Sequence, residues 1–282
     1  MGAILSIQSH VVYGHVGNSA VVFALQRLGR EVLPVHTVQF SSHAGYPGWR
    51  GEAFPPAWIG DCVAGLDAIG ALANCDGLLT GYLGQAETGE AALGAFALVR
   101  QRNPGAVYAC DPVIGDAGRV YVRAGVPEFF RDRALPRATL VSPNAFELAW
   151  LTGLPVATRA EAVAALDALR ARGPRVAYAT SLRLEDTPDD ALDLIVAAPE
   201  GAWRVHTPKL PIAVNGAGDL FSALFLHEWM ADRDAARALA SAAARVYAVV
   251  AATAAAGARE LALIVAQAAL ADPSRRFAPE RL

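Results

Sequence analysis

The chain has 282 residues, 24 basic against 27 acidic side chains for a net charge of −3, with 54% hydrophobic and 18% charged residues. That apolar share excludes a disordered chain. The near-neutral charge argues against a nucleic-acid partner, although a local basic site for a small acidic substrate stays open. Cys62, Cys75 and Cys110 are odd in number, far apart and without a CxxC pair. They suggest neither a disulfide framework nor a zinc site, and a reducing compartment is the default. The opening MGAILSIQSH lacks the cationic start and long apolar run of a signal peptide. The uncharged, alanine-rich stretch between Arg245 and Arg259 is too short for the ~20 residues that a bilayer span needs. A soluble cytoplasmic protein with no membrane partner is expected.

In chain order, Ala3 to Gln8 reads as a strand, Gly17 to Leu28 as a helix ended by Gly29, and Glu31 to Thr37 as a second strand. A helix over Trp58 to Ala73 precedes a strand at Gly77 to Thr80. A helix over Glu87 to Arg102 precedes strands at Val107 to Asp111 and Leu140 to Ser142. A helix over Ala160 to Arg172 precedes a strand at Val176 to Thr180. Leu192 to Ala197 and Ala202 to His206, joined by Pro-Glu-Gly, predict a late antiparallel hairpin at a sheet edge. Three helices close the chain, Asp219 to Trp229, Ala235 to Ala252 and Glu260 to Ala269, followed by a solvated tail at Arg275 and Arg276. Strands alternating with helices imply an α/β fold with a mostly parallel sheet. With no linker, repeat or charge block, one domain over 1–282 is expected. Ligands of such sheets bind beyond the carboxyl ends of the strands.

The most distinctive string is Asn215-Gly216-Ala217-Gly218-Asp219 ahead of an apolar helix. Glycines at a helix start let backbone N–H groups converge, and the helix dipole adds positive charge, so phosphoryl oxygens fit there. Asp219 at that place makes sense as a base that takes a proton from an attacking hydroxyl. It reads equally as a helix cap. Asn144 and Glu147 share one helix face after the strand ending at Ser142 and suit Mg²⁺ held through water. The same pair also forms a capping box, which is the more frequent use of that spacing. Asp111, in Cys110-Asp111-Pro112, serves either metal or phosphates, or merely opens a turn. Cys110 reads as core. Ser9 follows the first strand and suits a hydrogen bond to a substrate ring. His43 and Tyr46 lie in the polar, aromatic segment FSSHAGYPGW. No GxxxxGK[ST], GxSxG or early GxGxxG is present, which argues against P-loop enzymes, serine hydrolases and dinucleotide binders.

The strings SIQSHVVYGHVGNSA, TVQFSSHAGYPGW, TGYLG, CDPVIGD, SPNAFEL and NGAGD, in this order, resemble the pyridoxal kinase family of the ribokinase-like superfamily. The resemblance covers nearly the whole chain. It implies a central, mostly parallel sheet flanked by helices on both faces. It also implies ATP-dependent phosphorylation of the 5′-hydroxymethyl group of pyridoxal, with Mg²⁺, in many members a monovalent cation such as K⁺, and a homodimer. By the resemblance, Asp219 is the catalytic base, and Gly216, Ala217 and Gly218 form the anion hole. Ser9, Val16, Phe40, His43 and Tyr82 line the vitamer pocket. Asp111, Ser142, Glu147, Thr180, Thr207 and Lys209 lie on the nucleotide side, and Asp111, Asn144 and Glu147 on the metal side. Two positions depart from the family: Ala44 stands where a threonine is usual, and Thr180 where bacterial members often carry a lysine. They motivate two alternatives, a hydroxymethylpyrimidine or other hydroxymethyl-heterocycle kinase, and a vitamer-binding protein with little turnover. Lys209 is the only lysine.

Overall fold

The computed structural model describes residues 2–282. The chain runs through β1 (Ala3–Val11), α1 (Asn18–Arg27), β2 (Val32–Phe40), β3 (Gly51–Ala53), α2 (Pro56–Ala68), β4 (Cys75–Thr80) and α3 (Ala86–Arg102). There follow β5 (Val107–Cys110), a small hairpin of β6 (Gly115–Asp116) and β7 (Arg119–Val120), the short α4 (Val126–Phe129), and β8 (Leu140–Val141). Then come α5 (Ala145–Thr152), α6 (Arg159–Arg170), β9 (Val176–Leu182), β10 (Ala191–Ala198), β11 (Gly201–Pro208), α7 (Ala217–Asp232), α8 (Ala235–Ala255), α9 (Gln267–Ala271) and β12 (Glu280–Arg281).

Ten strands form one sheet in the order β12-β11-β10-β9-β8-β5-β4-β1-β2-β3. The ladders from β2 to β9 are parallel, and the outer strands at both ends are antiparallel. β1 explains the arrangement. Its residues are buried without alternation, Ser6 and Gln8 among them, as a strand covered on both faces requires. Leu5 and Ile7 face one core with α2, α3, α5 and α6, while Ile4 faces the other with α1, α7, α8 and α9. The chain moves from β1 outward to β2, then returns to the other side of β1 at β4. That reversal opens a crevice at the carboxyl ends of the central strands.

Most expected elements are present, with instructive differences. The expected helix over Trp58 to Ala73 breaks at Gly70 (φ 76°), and Ala71–Asn74 continue as a 3₁₀ turn. The antiparallel hairpin is β10–β11, but β12 takes the place outside it. The helix expected over Glu260 to Ala269 is not there, and only Gln267–Ala271 is helical. Gly257 (φ 58°) ends the preceding helical run. Leu261 and Leu263 are then both buried in a run of tight turns, the Leu263 N–H donating to the Leu261 carbonyl, and the Thr253 hydroxyl accepts the Ala262 N–H. Arg275 and Arg276 do not lie in a free tail. Arg275 stacks over Tyr247 and Phe277, Arg276 bonds Asp272, and the chain returns as β12. All three cysteines are free. α8 is apolar and 21 residues long. It lies against α7, β10 and β11, and its Arg245 bonds Glu228 and the carbonyls of Leu270 and Ala271.

Candidate active site

A cleft of about 620 Å³ lies at the carboxyl ends of the central strands, within the range of small-molecule sites. Its lining collects Ser9, Val16, Phe40, His43 and Tyr82 on one side. Asp111, Ser142, Asn144, Glu147 and Thr180 lie on the other, and Gly216, Ala217, Gly218 and Asp219 line it as well. Thr207 and Lys209 are not part of that lining. Thr207 pairs with Leu192 in the β10–β11 ladder, and the Lys209 N–H donates to the Asp190 carbonyl.

α7 begins at Gly216, whose φ of 86° suits glycine. A Cβ there would lie 1.9 Å from the His15 carbonyl oxygen, so this position also needs the absent side chain. No side chain caps the first turn. Its leading N–H groups are thus open to the cleft, and the space beside Gly218 is empty. Asp219 does not cap its own helix. Its Oδ2 accepts the Gly17 N–H at 2.9 Å, reaching across to the turn that follows β1. Gly17 is required too: its φ is 53°, and a Cβ would meet the Ser9 carbonyl oxygen at 2.3 Å and the Ser9 hydroxyl at 2.4 Å. Burial raises the Asp219 carboxyl to about 6, against the lowering effect of the Gly17 bond.

Asn144 and Glu147 do form a capping box: the Asn144 side chain accepts the Glu147 N–H, and Glu147 Oε2 accepts the Asn144 N–H. Glu147 Oε1 takes two further N–H groups, from Ile114 and Gly115, at the base of the β6–β7 hairpin. Burial still raises its carboxyl to about 7. Asp111 is raised well above the usual range by burial and by the nearby Glu147 and Asp219. Its Oδ2 accepts the Ser222 hydroxyl (2.8 Å), which lies 3.1 Å from the Ser142 hydroxyl. Cys110 is buried and its thiol is pushed up to about 12, which fits a core residue.

Asp111, Asp116, Glu147 and Asp219 therefore line one cleft with Arg119 as its guanidinium. Among the described residues no three acidic, histidine or cysteine side chains converge as a metal cage, so a hard divalent cation in this acidic cleft would share its coordination with water and phosphate oxygens. Asp111 has an oxygen to offer. Glu147, with three backbone N–H groups on its oxygens, fits contact through water.

Several lining residues escaped the sequence reading. Ser222 stands three residues after Asp219, and helical spacing could have found it. Arg119 and Tyr121 come from the β6–β7 hairpin and the residue after it, where no periodicity marks a site. Gly17 carried no signal of its bond to Asp219, 202 positions away.

Residues 55–263 match the family model described as phosphomethylpyrimidine kinase. The chain is 47% identical over 281 residues to pyridoxal kinase PdxY of Rubrobacter xylanophilus, covering 99% of this chain and 97% of that protein. It belongs to the pyridoxal kinase family. Two solved structures of pyridoxal kinase from Leishmania donovani match over 100% of both chains. One is in complex with ADP and ginkgotoxin (TM-score 0.93, 29% identity), the other with ADP and pyridoxamine (TM-score 0.92, 28% identity). The α/β fold, with its mostly parallel sheet and antiparallel edges, is that of the pyridoxal kinases.

Proposed function

We propose that this pyridoxal kinase family member transfers the γ-phosphoryl group of ATP to the 5′-hydroxymethyl group of pyridoxal, giving pyridoxal 5′-phosphate and ADP. The carrying observation is the Asp219 carboxylate beside the uncapped first turn of α7, at the edge of one cleft. The hydroxymethyl oxygen attacks the γ-phosphorus, its proton passes to Asp219, and the bond to the ADP oxygen breaks. The N–H groups from Gly216 to Gly218 receive the charge on the transferring group. Ser9, Val16, Phe40, His43 and Tyr82 would hold the vitamer. Burial lowers the His43 imidazole, so it meets the ring as a neutral group. ATP would lie toward Asp111, Ser142, Glu147 and Thr180, with Thr207 and Lys209 reached only by its far end. The related kinases bound to ADP together with ginkgotoxin or pyridoxamine support a site of this kind.

Mg²⁺ would be held by Asp111 directly and by Asn144 and Glu147 through water. When bound, it neutralises phosphate charge. Glu147 and Asp219 have raised carboxyls, so the stability they contribute is complete at low pH and is lost as pH rises through about 6 to 7, and Asp111, raised well above the usual range, acts in the same direction. Excess Mg²⁺ is accordingly expected to raise the melting temperature at pH 8 and far less at pH 5. Equal shifts at both pH values would remove the carboxylates from the metal site. We further assign the chain as a single-domain, cytoplasmic homodimer, with K⁺ as the monovalent ion.

The competing reading is a hydroxymethylpyrimidine or other hydroxymethyl-heterocycle kinase, in keeping with the pyrimidine named in the family model's description, phosphomethylpyrimidine kinase. Purified protein with ATP, Mg²⁺ and K⁺ is offered pyridoxal, pyridoxine, pyridoxamine or hydroxymethylpyrimidine, and each phosphorylated product is quantified by chromatography. Pyridoxal is expected to be the best B6 acceptor. A faster reaction with hydroxymethylpyrimidine would transfer the assignment to that class. Vitamer binding without any product would make this a binding protein.

A further inference from the structure

The segment between α8 and α9, where a helix was expected, ends up beside the vitamer side of the cleft. Glu260 lies in it, half-buried, and does not itself line the cleft. Its two oxygens serve two different loops. Oε1 accepts the Tyr46 hydroxyl at 2.6 Å, and Oε2 accepts the His15 backbone N–H at 3.1 Å. Arg259 adds to the first grip: its guanidinium lies 3.8 Å from the Tyr46 ring centre, and Nη2 donates to the Gly45 carbonyl at 3.4 Å. The two loops also meet directly, with Tyr13 edge-on to Tyr46 and the Tyr13 N–H on the Ser41 carbonyl. Gly14 makes room for the carboxylate, since a Cβ there would lie 2.1 Å from Glu260 Oε2.

What these loops carry gives the contacts meaning. His43, Ala44 and Gly45 of the first loop line the cleft. The His15 peptide belongs to the turn whose Gly17 N–H holds Asp219, and its carbonyl packs under Gly216 at the start of α7. We propose that Glu260 is a positioning residue for the vitamer, a single carboxylate that sets the His43–Gly45 wall against the turn bearing Gly17. The phenol of Tyr46 is pushed up to about 12, first by its bond to Glu260, so it stays a donor across the working pH range. This inference rests on the pyridoxal kinase reading, because it concerns that reading's acceptor site.

Glu260 bonds the vitamer loop through Tyr46 and reaches Asp219 and α7 only at one remove, through the His15 peptide, and that predicts a split between substrates. Steady-state kinetics with pyridoxal varied at saturating MgATP, and the reverse, would be run on wild type, Glu260→Gln, Glu260→Ala and Tyr46→Phe. Pyridoxal binding without ATP would be measured by equilibrium dialysis, and thermal melts recorded. Glu260→Ala is expected to raise both the pyridoxal KM and its Kd by about 5–30-fold, less than the full loss of its two hydrogen bonds would give, because neither bond is made to the vitamer itself. The ATP KM should stay within about twofold. Tyr46→Phe should reproduce part of the rise, and Glu260→Gln, which keeps one acceptor oxygen, should fall between. Tyr46→Phe added to Glu260→Ala should cost nothing further. Equal rises in both KM values alongside a lower melting temperature would show a general structural staple and overturn the proposal. So would an unchanged pyridoxal Kd in Glu260→Ala and Tyr46→Phe. Wild type that binds pyridoxal but makes no product would sink the kinase assignment instead, and the dialysis comparison would still report on Glu260.

Discussion

Replacing Asp219 with asparagine is expected to lower kcat by about 10²–10⁴-fold, or about 3–5.5 kcal/mol of barrier, with pyridoxal binding largely kept. Asparagine has nearly the same shape, and its amide oxygen can still accept the Gly17 N–H that now bonds Asp219 Oδ2. What it cannot do is take the proton of the attacking hydroxyl. The pH profile adds a second reading of the same residue. A base must be deprotonated, so wild-type kcat/KM should rise with pH through about 6, the value to which burial brings this carboxyl. At saturating Mg²⁺, where the metal-side carboxylates are held ionised, the residual activity of Asp219→Asn should lack that acid limb. A loss below tenfold, or an unchanged limb in the variant, would remove Asp219 from the base role.

Gly216→Ala and Gly218→Ala form the second pair, expected to fail in different ways. Alanine at 216 must adopt a φ near 86° and place its Cβ 1.9 Å from the His15 carbonyl oxygen. The left-handed conformation alone costs about 1–2 kcal/mol. The turn carrying His15 must also shift, taking with it the Gly17 N–H that holds Asp219. A melting temperature lower by several degrees (about 2–4 °C per kcal/mol in chains of roughly this size) should accompany an activity loss on the order of 10²–10³-fold. Alanine at 218 meets nothing within 4 Å. Its fold should melt as wild type does, yet its methyl group stands in the cleft where the phosphoryl oxygens would approach. A drop of about 10²-fold in kcat/KM for ATP at unchanged stability is the expected result. Wild-type kinetics in Gly218→Ala would place the phosphates elsewhere.

The parts of this molecule that could be read from sequence are those where one local rule acts. Parallel strands buried on both faces read as apolar runs, and Gly29, in the left-handed region (φ 75°), ends α1 as its position suggested. The glycine pair at 216 and 218 announced a helix start with room for an anion. Asn144 and Glu147 show where a local rule stops. The capping box is present, but the two extra N–H groups on Glu147 come from Ile114 and Gly115, more than thirty residues back. Glu260 shows the same limit in a helix forecast. Its surroundings, alanine and leucine, favour a helix, yet its carboxylate is claimed by His15 and Tyr46 from two distant loops. Arg119 and Tyr121 reach the cleft only because a two-residue hairpin folds over it.

The two ends of the ten-stranded sheet share a property that bears on how copies of this protein can meet. At one end β3 has three residues, and at the other β12 has two, both charged. Glu280 binds the buried Arg204, and Arg281 lies over Trp203, so the short strand is fastened by its side chains as well as its ladder. Strands this brief themselves offer few backbone groups for a neighbouring chain to extend, and charge on them discourages the attempt. The cover is partial, since β3 pairs only with Val38 to Phe40 of β2 and β12 only with Trp203 and Arg204 of β11. The uncovered stretches each carry a proline, Pro34 and Pro208, which interrupts the row of donors that a second copy extending the sheet would need.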